Sequence, residues 1–432
     1  MAMVNGAAAP TFGEAFATFW RIGILSFGGP TAQIAVMHRI LVDEKGWLTE
    51  RQFLNALSFC MLLPGPEAMQ LATYAGWRLH GVAGGLAAGL LFVLPGAAVV
   101  LALAMIYAGF GEVRFVEALF LGIKAAVLVI VVEALLRISK KALKGSVHWV
   151  LAGLSFLGIF VFALPFPLII AIAALLGYMH GDRTGEDAGE RPELVKASRT
   201  FGTILIWTAI WMVPLVGLAM LVGHDHILAQ LGVFFSKLAM VTFGGAYAVL
   251  AYMAQDVVVK FGWLEAGQMM DGLGLAETTP GPLILVTEFV GYLAAYRQGG
   301  DGALMLGVAG ALVTLWATFA PCFLWIFAGA PYIDWIIARP RLRGALSAIT
   351  AAVVGVILNL AVWFALHVFF AEVSRVEAAG LTLWVPEWAT LDWRVVAMSA
   401  ISGWLLLVRH WGIAKVLGVA AVLGLAFSYL PV

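Results

Sequence analysis

Apolar segments long enough to cross a lipid bilayer follow one another along almost the whole chain. A helix needs about 20 apolar residues to cross the hydrocarbon of a membrane. Of the 432 residues, 62% are hydrophobic and only 12% are charged, which is roughly half the charged share of a soluble domain. We therefore expect an all-α polytopic membrane protein with lipid around it. Lys and Arg (25) balance Asp and Glu (25) without a basic stripe, which argues against nucleic-acid binding.

About 13 membrane segments are expected, several of them broken by Gly or Pro. The candidate segments are 12–40, 50–80, 82–110, 113–138, 147–163, 166–180, 201–222, 227–258, 265–298, 302–330, 343–371, 393–408 and 411–430. The stretch 180–199 is polar and is expected to be a solvated linker. This division predicts an N-terminal transporter repeat in 1–180, a cytoplasmic linker with a connecting membrane helix in 181–222, and a C-terminal repeat in 223–432.

Short motifs recur in the chain at an offset of 216 residues. The repeated motifs are Phe27-Gly28-Gly29 with Phe243-Gly244-Gly245, Gly46-Trp47-Leu48 with Gly262-Trp263-Leu264, and Pro64-Gly65-Pro66 with Pro280-Gly281-Pro282. Chance similarity between apolar segments does not keep Gly, Trp and Pro in one register. Each half is therefore expected to be a copy of the same unit.

The two copies are expected to enter the membrane from opposite sides. Each half contains six elements, and the segment 201–222 adds a single crossing between them. An N-terminus in the cytoplasm places most loop Lys and Arg residues on the cytoplasmic side, as the positive-inside rule requires. A re-entrant hairpin in place of one span would change this parity.

Gly and Pro interrupt the apolar segments at 27–30 and 64–66, and again at the corresponding positions of the second half. Such breaks release backbone N–H and C=O groups, which in lipid need protein, water or substrate as partners. Matched breaks in two repeats are typical of a substrate site near the membrane midplane. The N–H groups at the start of a half-helix favour an anion. Close packing at Gly and kinks at Pro are the alternative explanation.

Polar and charged side chains cluster around these breaks. Because they are costly in hydrocarbon, we expect them to line a hydrated site between the halves for a small oxyanion. Gly would let the backbone approach, cations would supply charge, and Ser, Thr and Gln would donate hydrogen bonds. Hydrogen bonding between helices is the alternative for any one Ser or Thr. The candidate substrate-binding residues are Arg21, Ser26, Gly28, Gly29, Gln33, Gly65, Glu67, Gln70, Lys124, Lys237, Thr242, Gly244, Gly245, Glu277, Thr278, Thr279, Gly281 and Glu288.

Lys124 is the sharpest single candidate because it lies inside an apolar span. It corresponds to Thr350 in the second half, so the positive charge is not repeated. We expect Lys124 to attract an anionic substrate. A structural ion pair with a Glu of its own span, Glu117 or Glu133, is the alternative.

The sequence predicts no cofactor, no metal site and no enzymatic chemistry. His224-Asp225-His226 has no further ligands nearby, and Cys60 and Cys322 lie far apart in apolar runs, as packing residues do. The chain has no Gly-x-x-x-x-Gly-Lys-[Ser/Thr] motif for nucleotide phosphates. Transport would therefore depend on an existing gradient, the membrane potential or a partner.

Four motifs in order carry a family resemblance: Ser26-Phe27-Gly28-Gly29-Pro30, Leu63-Pro64-Gly65-Pro66-Glu67, Gly76-Trp77-Arg78 and Phe92-Val93-Leu94-Pro95-Gly96. They resemble the chromate transporter family in its long form with two homologous halves. The resemblance implies a secondary transporter that exports chromate across the bacterial inner membrane and confers chromate resistance. Ala246 and Leu283 replace the Pro30 and Glu67 of the first half, so unequal contributions of the halves are expected.

The residues alone do not separate chromate from sulfate, because both are tetrahedral dianions. A carrier of sulfate or another small oxyanion, an anion channel and a membrane-embedded chromate reductase stay open as alternatives. A homodimer is compatible with the sequence. So is coupling to protons through Glu67, Glu133, Glu277 or Glu288.

Overall fold

The fold is built from α-helices, as the sequence predicts. The computed structural model describes residues 3, 4, 7, 8, 10–111, 113–180, 197–241, 243, 246–333, 336, 339–378 and 381–429. Within these residues the α-helices are α1 (Phe12–Leu25), α2 (Gly29–His38), α3 (Glu50–Leu62), α4 (Glu67–Phe110), α5 (Arg114–Ala142), α6 (Ser146–Phe160), α7 (Phe166–His180), α8 (Ala197–Val222), α9 (Ile227–Val241), α10 (Ala246–Gln255), α11 (Ala266–Thr278), α12 (Val286–Tyr296), α13 (Ala303–Gly329), α14 (Pro340–Phe369), α15 (Trp393–Gly403) and α16 (Ile413–Phe427).

Five helical segments in the described part of the chain are long and apolar enough to cross a membrane. They are Glu67–Phe110, Arg114–Ala142, Ser198–Val222, Gly300–Tyr332 and Pro340–Phe369. Six further apolar helices have 10–17 residues, which is short of the length that a perpendicular crossing needs. The protein is therefore a multi-pass membrane protein, and the number of about 13 segments stays a prediction.

The helices are interrupted near two positions that the sequence singled out. Within the expected segment 50–80, α3 ends at Leu62 and α4 begins at Glu67, on either side of Pro64-Gly65-Pro66. Helix α4 continues to Phe110, and its kink with non-helical backbone angles at His80 and Gly81 coincides with the expected boundary between 50–80 and 82–110. At about 1.5 Å per residue, the 44 residues of α4 are too long for one straight crossing of a hydrocarbon layer about 30 Å thick. The kink therefore divides α4 into two shorter helices.

Local backbone geometry repeats at the same offset as the sequence. A π-helical turn follows α2 at Arg39–Glu44 and follows α10 at Asp256–Lys260. Trp47 N–H donates to the carbonyl of Leu41, and Trp263 N–H donates to that of Val257, both at 2.9 Å. These two contacts are 216 residues apart in the chain. The copies therefore share a local fold, and their opposite orientation stays a prediction.

The chain forms two compact units, and each contains segments from both sequence halves. Unit 1 comprises Met1–Leu103, Gly181–Ala246 and Thr279–Arg343, and unit 2 comprises Ala104–His180, Tyr247–Thr278 and Gly344–Val432. In unit 1, α13 packs against α8, α9 and α12. In unit 2, α5 packs against α11, α15 and α16. Compactness and sequence repetition thus divide this chain differently.

An antiparallel β-hairpin lies in the connection between α14 and α15. It consists of β3 (Val373–Ala378) and β4 (Leu381–Pro386), after a two-residue pair, β1 (Met3–Val4) and β2 (Ala7–Ala8), near the N-terminus. Thr382 N–H donates to the carbonyl of Val161 at 2.7 Å, which ties the hairpin to the end of α6. The sequence analysis predicted no strand here, although Thr382, Trp384 and Val385 are of the β-branched and aromatic types that strands favour.

Candidate functional site

The first helix break is a glycine turn between α1 and α2. Gly28 and Gly29 have φ angles of +82° and +78°, in the left-handed region that strains other residues. Pro30 occupies the first turn of α2, where it costs no helical hydrogen bond. No side chain caps the start of α2, so its first turn presents backbone N–H groups rather than a satisfied cap.

Three residues of unit 1 join this break to a break from the other half of the sequence. Gly281 N–H donates to the carbonyl of Ser26 at 2.8 Å, and the Gln33 side-chain amide donates to the carbonyl of Gly281 at 2.6 Å. Ser26 is buried, and the side chain of Gln33 is 1% exposed. We call Ser26, Gln33 and Gly281 the clasp. The clasp confirms that two of the predicted breaks lie together.

Helix α4 packs against the 279–282 turn. A Cβ built on Gly96 would lie 2.1 Å from the carbonyl oxygen of Pro280, so a side chain at this position has no room. Gly96 ends the motif Phe92-Val93-Leu94-Pro95-Gly96 of the first half. Motifs that are distant in sequence therefore pack on one another in unit 1.

The second break of the first half has its own amide contact. Gly65 has a φ angle of +120°, and the Gln70 side-chain amide donates to the carbonyl of Pro64 at 2.8 Å. A Cβ on Gly65 would lie 2.9 Å from the sulfur of Cys322. Cys60 and Cys322 are both buried and unpaired. Glu67 opens α4 directly after this turn and is partly exposed.

Several buried acceptors near these breaks have no hydrogen-bond donor among the described residues. They are the side-chain oxygens of Gln33 and Gln70 and both carboxylate oxygens of Glu288. Buried polar atoms without a partner are rare and costly in proteins. Thr279, two residues before Gly281, is also buried and is not without a partner. Unit 1 therefore gathers polar groups whose hydrogen-bonding capacity is only partly used.

The expected cations of unit 1 lie on its exposed faces. The Arg21 side chain is 53% exposed and pairs with Glu44 at 3.1 Å, and Lys237 is exposed. Thr278, in unit 2, is exposed and donates its hydroxyl to the carbonyl of Leu275 at 2.8 Å. Thr242, Gly244 and Gly245 lie outside the described residues.

Lys124, in unit 2, is paired with an acid of the second half. Its ammonium nitrogen lies 3.4 Å from Oδ2 of Asp271 on α11, and the hydroxyl of Tyr107 donates to the same oxygen at 2.7 Å. The ion pair expected as the structural alternative therefore exists, but its acid is Asp271 rather than Glu117 or Glu133. An acid inside an apolar span is itself a signal in the sequence, but the sequence did not predict that Asp271 pairs with Lys124.

A second carboxylate on α11 has a similar environment. The hydroxyl of Tyr247 donates to Oε1 of Glu277 at 2.7 Å, while Oε2 of Glu277 has no partner among the described residues. Glu133 pairs with Arg137 at 3.6 Å. Sequence analysis missed Tyr107 and Tyr247, because a tyrosine in an apolar run gives no signal that separates it from a packing residue.

The arrangement of the interrupted helices indicates a class of protein. Interrupted helices, joined through backbone and amide groups, lie inside an apolar helical protein that crosses the membrane several times. Among the described residues, no group of three or more His, Cys, Asp or Glu could hold a metal ion. These features are those of a broken-helix membrane protein whose breaks can contact a polar solute.

The chain belongs to the chromate transporter family, whose sequence profile matches residues 13–178 and 229–425. The chain is 32% identical to the chromate transport protein of Pseudomonas aeruginosa over 413 residues, which cover 92% of each chain. It is 30% identical to the chromate transport protein of Cupriavidus metallidurans over 344 residues, covering 78% of this chain and 79% of that one. No solved structure matches the chain.

One relative has the length of a single half. The uncharacterized transporter YwrA of Bacillus subtilis is 29% identical over 165 residues, which are 37% of this chain and 92% of that protein. A protein with the length of one sequence half therefore exists among the relatives. This agrees with the repetition of motifs and local geometry in the present chain.

Proposed function

We propose that this protein is a secondary transporter that exports chromate across the bacterial inner membrane by alternating access. The N-terminus lies in the cytoplasm, and two repeats of opposite orientation provide the moving parts. The observation that carries the proposal is the clasp, in which Ser26, Gln33 and Gly281 hold two helix breaks together inside an apolar bundle. Relatives named chromate transport proteins, aligned over most of the chain, support chromate as the substrate.

The start of α2, beside the clasp, suits an oxyanion. It has no side-chain cap and carries the positive end of a helix dipole, and amide N–H groups donate to anionic oxygen. The oxygens of Gln33, Gln70 and Glu288 that lack a donor among the described residues are themselves acceptors, so they would face a donor rather than the anion. Gln33 and Gln70 correspond to Val249 and Val286 at the 216-residue offset. The amide donors therefore occur in the first half only, which supports the expectation that the two halves contribute unequally.

The membrane potential is sufficient as a driving force. Moving one charge across 100 mV is worth about 2.3 kcal/mol, so a dianion that leaves an interior-negative cell gains about 4.6 kcal/mol. Export therefore needs no nucleotide. One proton exported with the dianion would leave one net negative charge, which lowers this figure to about 2.3 kcal/mol and keeps the direction that the potential favours.

Chromate flux in proteoliposomes at a fixed membrane potential tests this function. We expect saturable chromate uptake into vesicles that present the cytoplasmic face outward, accelerated by a positive potential in the lumen. Gln33→Met should lower the rate about tenfold or more, as expected for one buried hydrogen bond. Gln298→Met is the matched control, because Gln298 is exposed, and it should leave the rate unchanged.

Three results would replace the proposal by an alternative. A flux that does not saturate and shows no exchange with substrate inside would identify a channel. Stronger competition by sulfate than by unlabelled chromate would identify a sulfate carrier. Loss of the chromate absorbance in the presence of the purified protein would identify a reductase.

A further inference from the structure

Lys124 and Asp271 form a buried ion pair with unequal access. The Lys124 side chain is 27% exposed, whereas that of Asp271 is 4% exposed. The ammonium group has three donors, and Asp271 is its acidic partner among the described residues. The lysine is therefore the more accessible member of the pair, while the aspartate is enclosed by the protein.

The position of the Lys124 ammonium favours an anion once the aspartate charge is removed. Gly267, the second residue of α11, lies directly beneath it, since a Cβ there would be 3.0 Å from the ammonium nitrogen. The first turn of a helix carries the positive end of its dipole. The Lys124 ammonium and the positive end of the α11 dipole thus lie close together, and the carboxylate of Asp271 offsets both.

Asp271 also has an incomplete set of partners. Tyr107 and Lys124 both contact Oδ2, and Oδ1 is buried without a donor among the described residues. The charged and titratable groups that act on Asp271 are Lys124 from α5 and Tyr107 from the end of α4. The neighbouring α16 carries Lys415, which is exposed, and α11 itself carries Glu277. A proton on Oδ1 would leave the Tyr107 contact in place.

We propose that Asp271 binds a proton in competition with its ion pair, and that this proton releases Lys124 to bind the transported oxyanion. When Asp271 is ionised, it neutralises Lys124 and repels an incoming dianion. When water supplies a proton to Asp271, Lys124 keeps a net positive charge beside the start of α11. Proton and anion therefore bind with positive cooperativity, and by linkage each tightens the binding of the other. This inference rests on the proposed function and identifies the coupling ion.

The test is the affinity for chromate across a pH series, measured on the purified full-length protein and expressed per concentration of chromate dianion. For the wild type we expect affinity to fall as pH rises, by up to about tenfold per pH unit, the limit for one linked proton. Asp271→Asn should bind with the tight, acid-limit affinity at every pH, and Lys124→Gln should bind weakly at every pH. Asp256→Asn is the matched control, since Asp256 pairs with Lys260 at 3.8 Å, and it should keep the wild-type pH dependence.

Tyr107→Phe provides a second test that does not depend on Asp271→Asn folding. Loss of its hydrogen bond destabilises the ionised carboxylate, so the midpoint of the affinity curve should move to higher pH. The inference is overturned if Asp271→Asn keeps the wild-type pH dependence, if it binds more weakly than the wild type throughout, or if Tyr107→Phe leaves the midpoint unchanged. Failure of the wild type to bind chromate at any pH would instead refute the proposed function.

Discussion

Replacing Gly96 by Ala should push α4 away from the 279–282 turn. The new Cβ would start 2.1 Å from the carbonyl oxygen of Pro280, whereas real Cβ atoms essentially never approach closer than 3.0 Å. The two backbones must therefore separate by at least about 0.9 Å, because the nearest obstructing atom is a backbone oxygen rather than the end of a flexible side chain. Overpacking of this kind costs about 1–3 kcal/mol, and the better helix propensity of Ala returns up to about 1 kcal/mol.

The same displacement stretches the clasp, because Pro280 precedes Gly281. We expect Gly96→Ala to lower the thermal unfolding temperature in detergent and to slow chromate flux in proteoliposomes. Gly109→Ala is the matched control on the same helix, because a Cβ there meets nothing within 4 Å. Its stability should equal that of the wild type or exceed it slightly. Equal melting temperatures and equal fluxes for the two variants would refute the close packing of α4 on this turn.

Three further predictions concern unit 2. Tyr247→Phe removes the hydroxyl that donates to Glu277 and should destabilise the protein by about 1–3 kcal/mol, seen as a lower unfolding temperature. Burial raises the pKa of Asp392, but the hydrogen bonds that Arg394 donates outweigh it and lower that pKa below its ordinary value. The stabilisation is therefore present above the ordinary pKa and is lost as pH falls through the lowered one, so Asp392→Asn should be less stable than the wild type at neutral pH and equal to it in acid. Gly122→Ala should prevent α5 and α16 from packing, because its Cβ would lie 1.7 Å from a backbone oxygen of α16, and a normally folded variant in size-exclusion chromatography would contradict this.

The parts of the site that sequence could locate are those that depend on backbone chemistry. Gly28 and Gly29 tolerate the left-handed φ angles that this turn requires, and Pro30 suits the first turn of the helix that follows, so the turn lies where it was predicted. The partners of the polar side chains were harder to predict from the sequence. Arg21 was expected to face the substrate and instead pairs with Glu44 on an exposed face, since the side of a helix that faces its neighbours depends on those neighbours.

The sequence by itself determined that this protein lies in a membrane and where some of its helices are interrupted. Its hydropathy requires a membrane, its Phe-Gly-Gly-Pro and Pro-Gly-Pro motifs mark two places where helices are interrupted, and its motifs recur at a fixed offset. Only the tertiary structure decided which helix breaks lie together and which charged residues pair. Gln33 reaches Gly281 and Lys124 reaches Asp271 across more than a hundred residues of chain. Local propensity is a property of each segment, whereas contacts between segments depend on the packing of whole helices, which no single residue encodes.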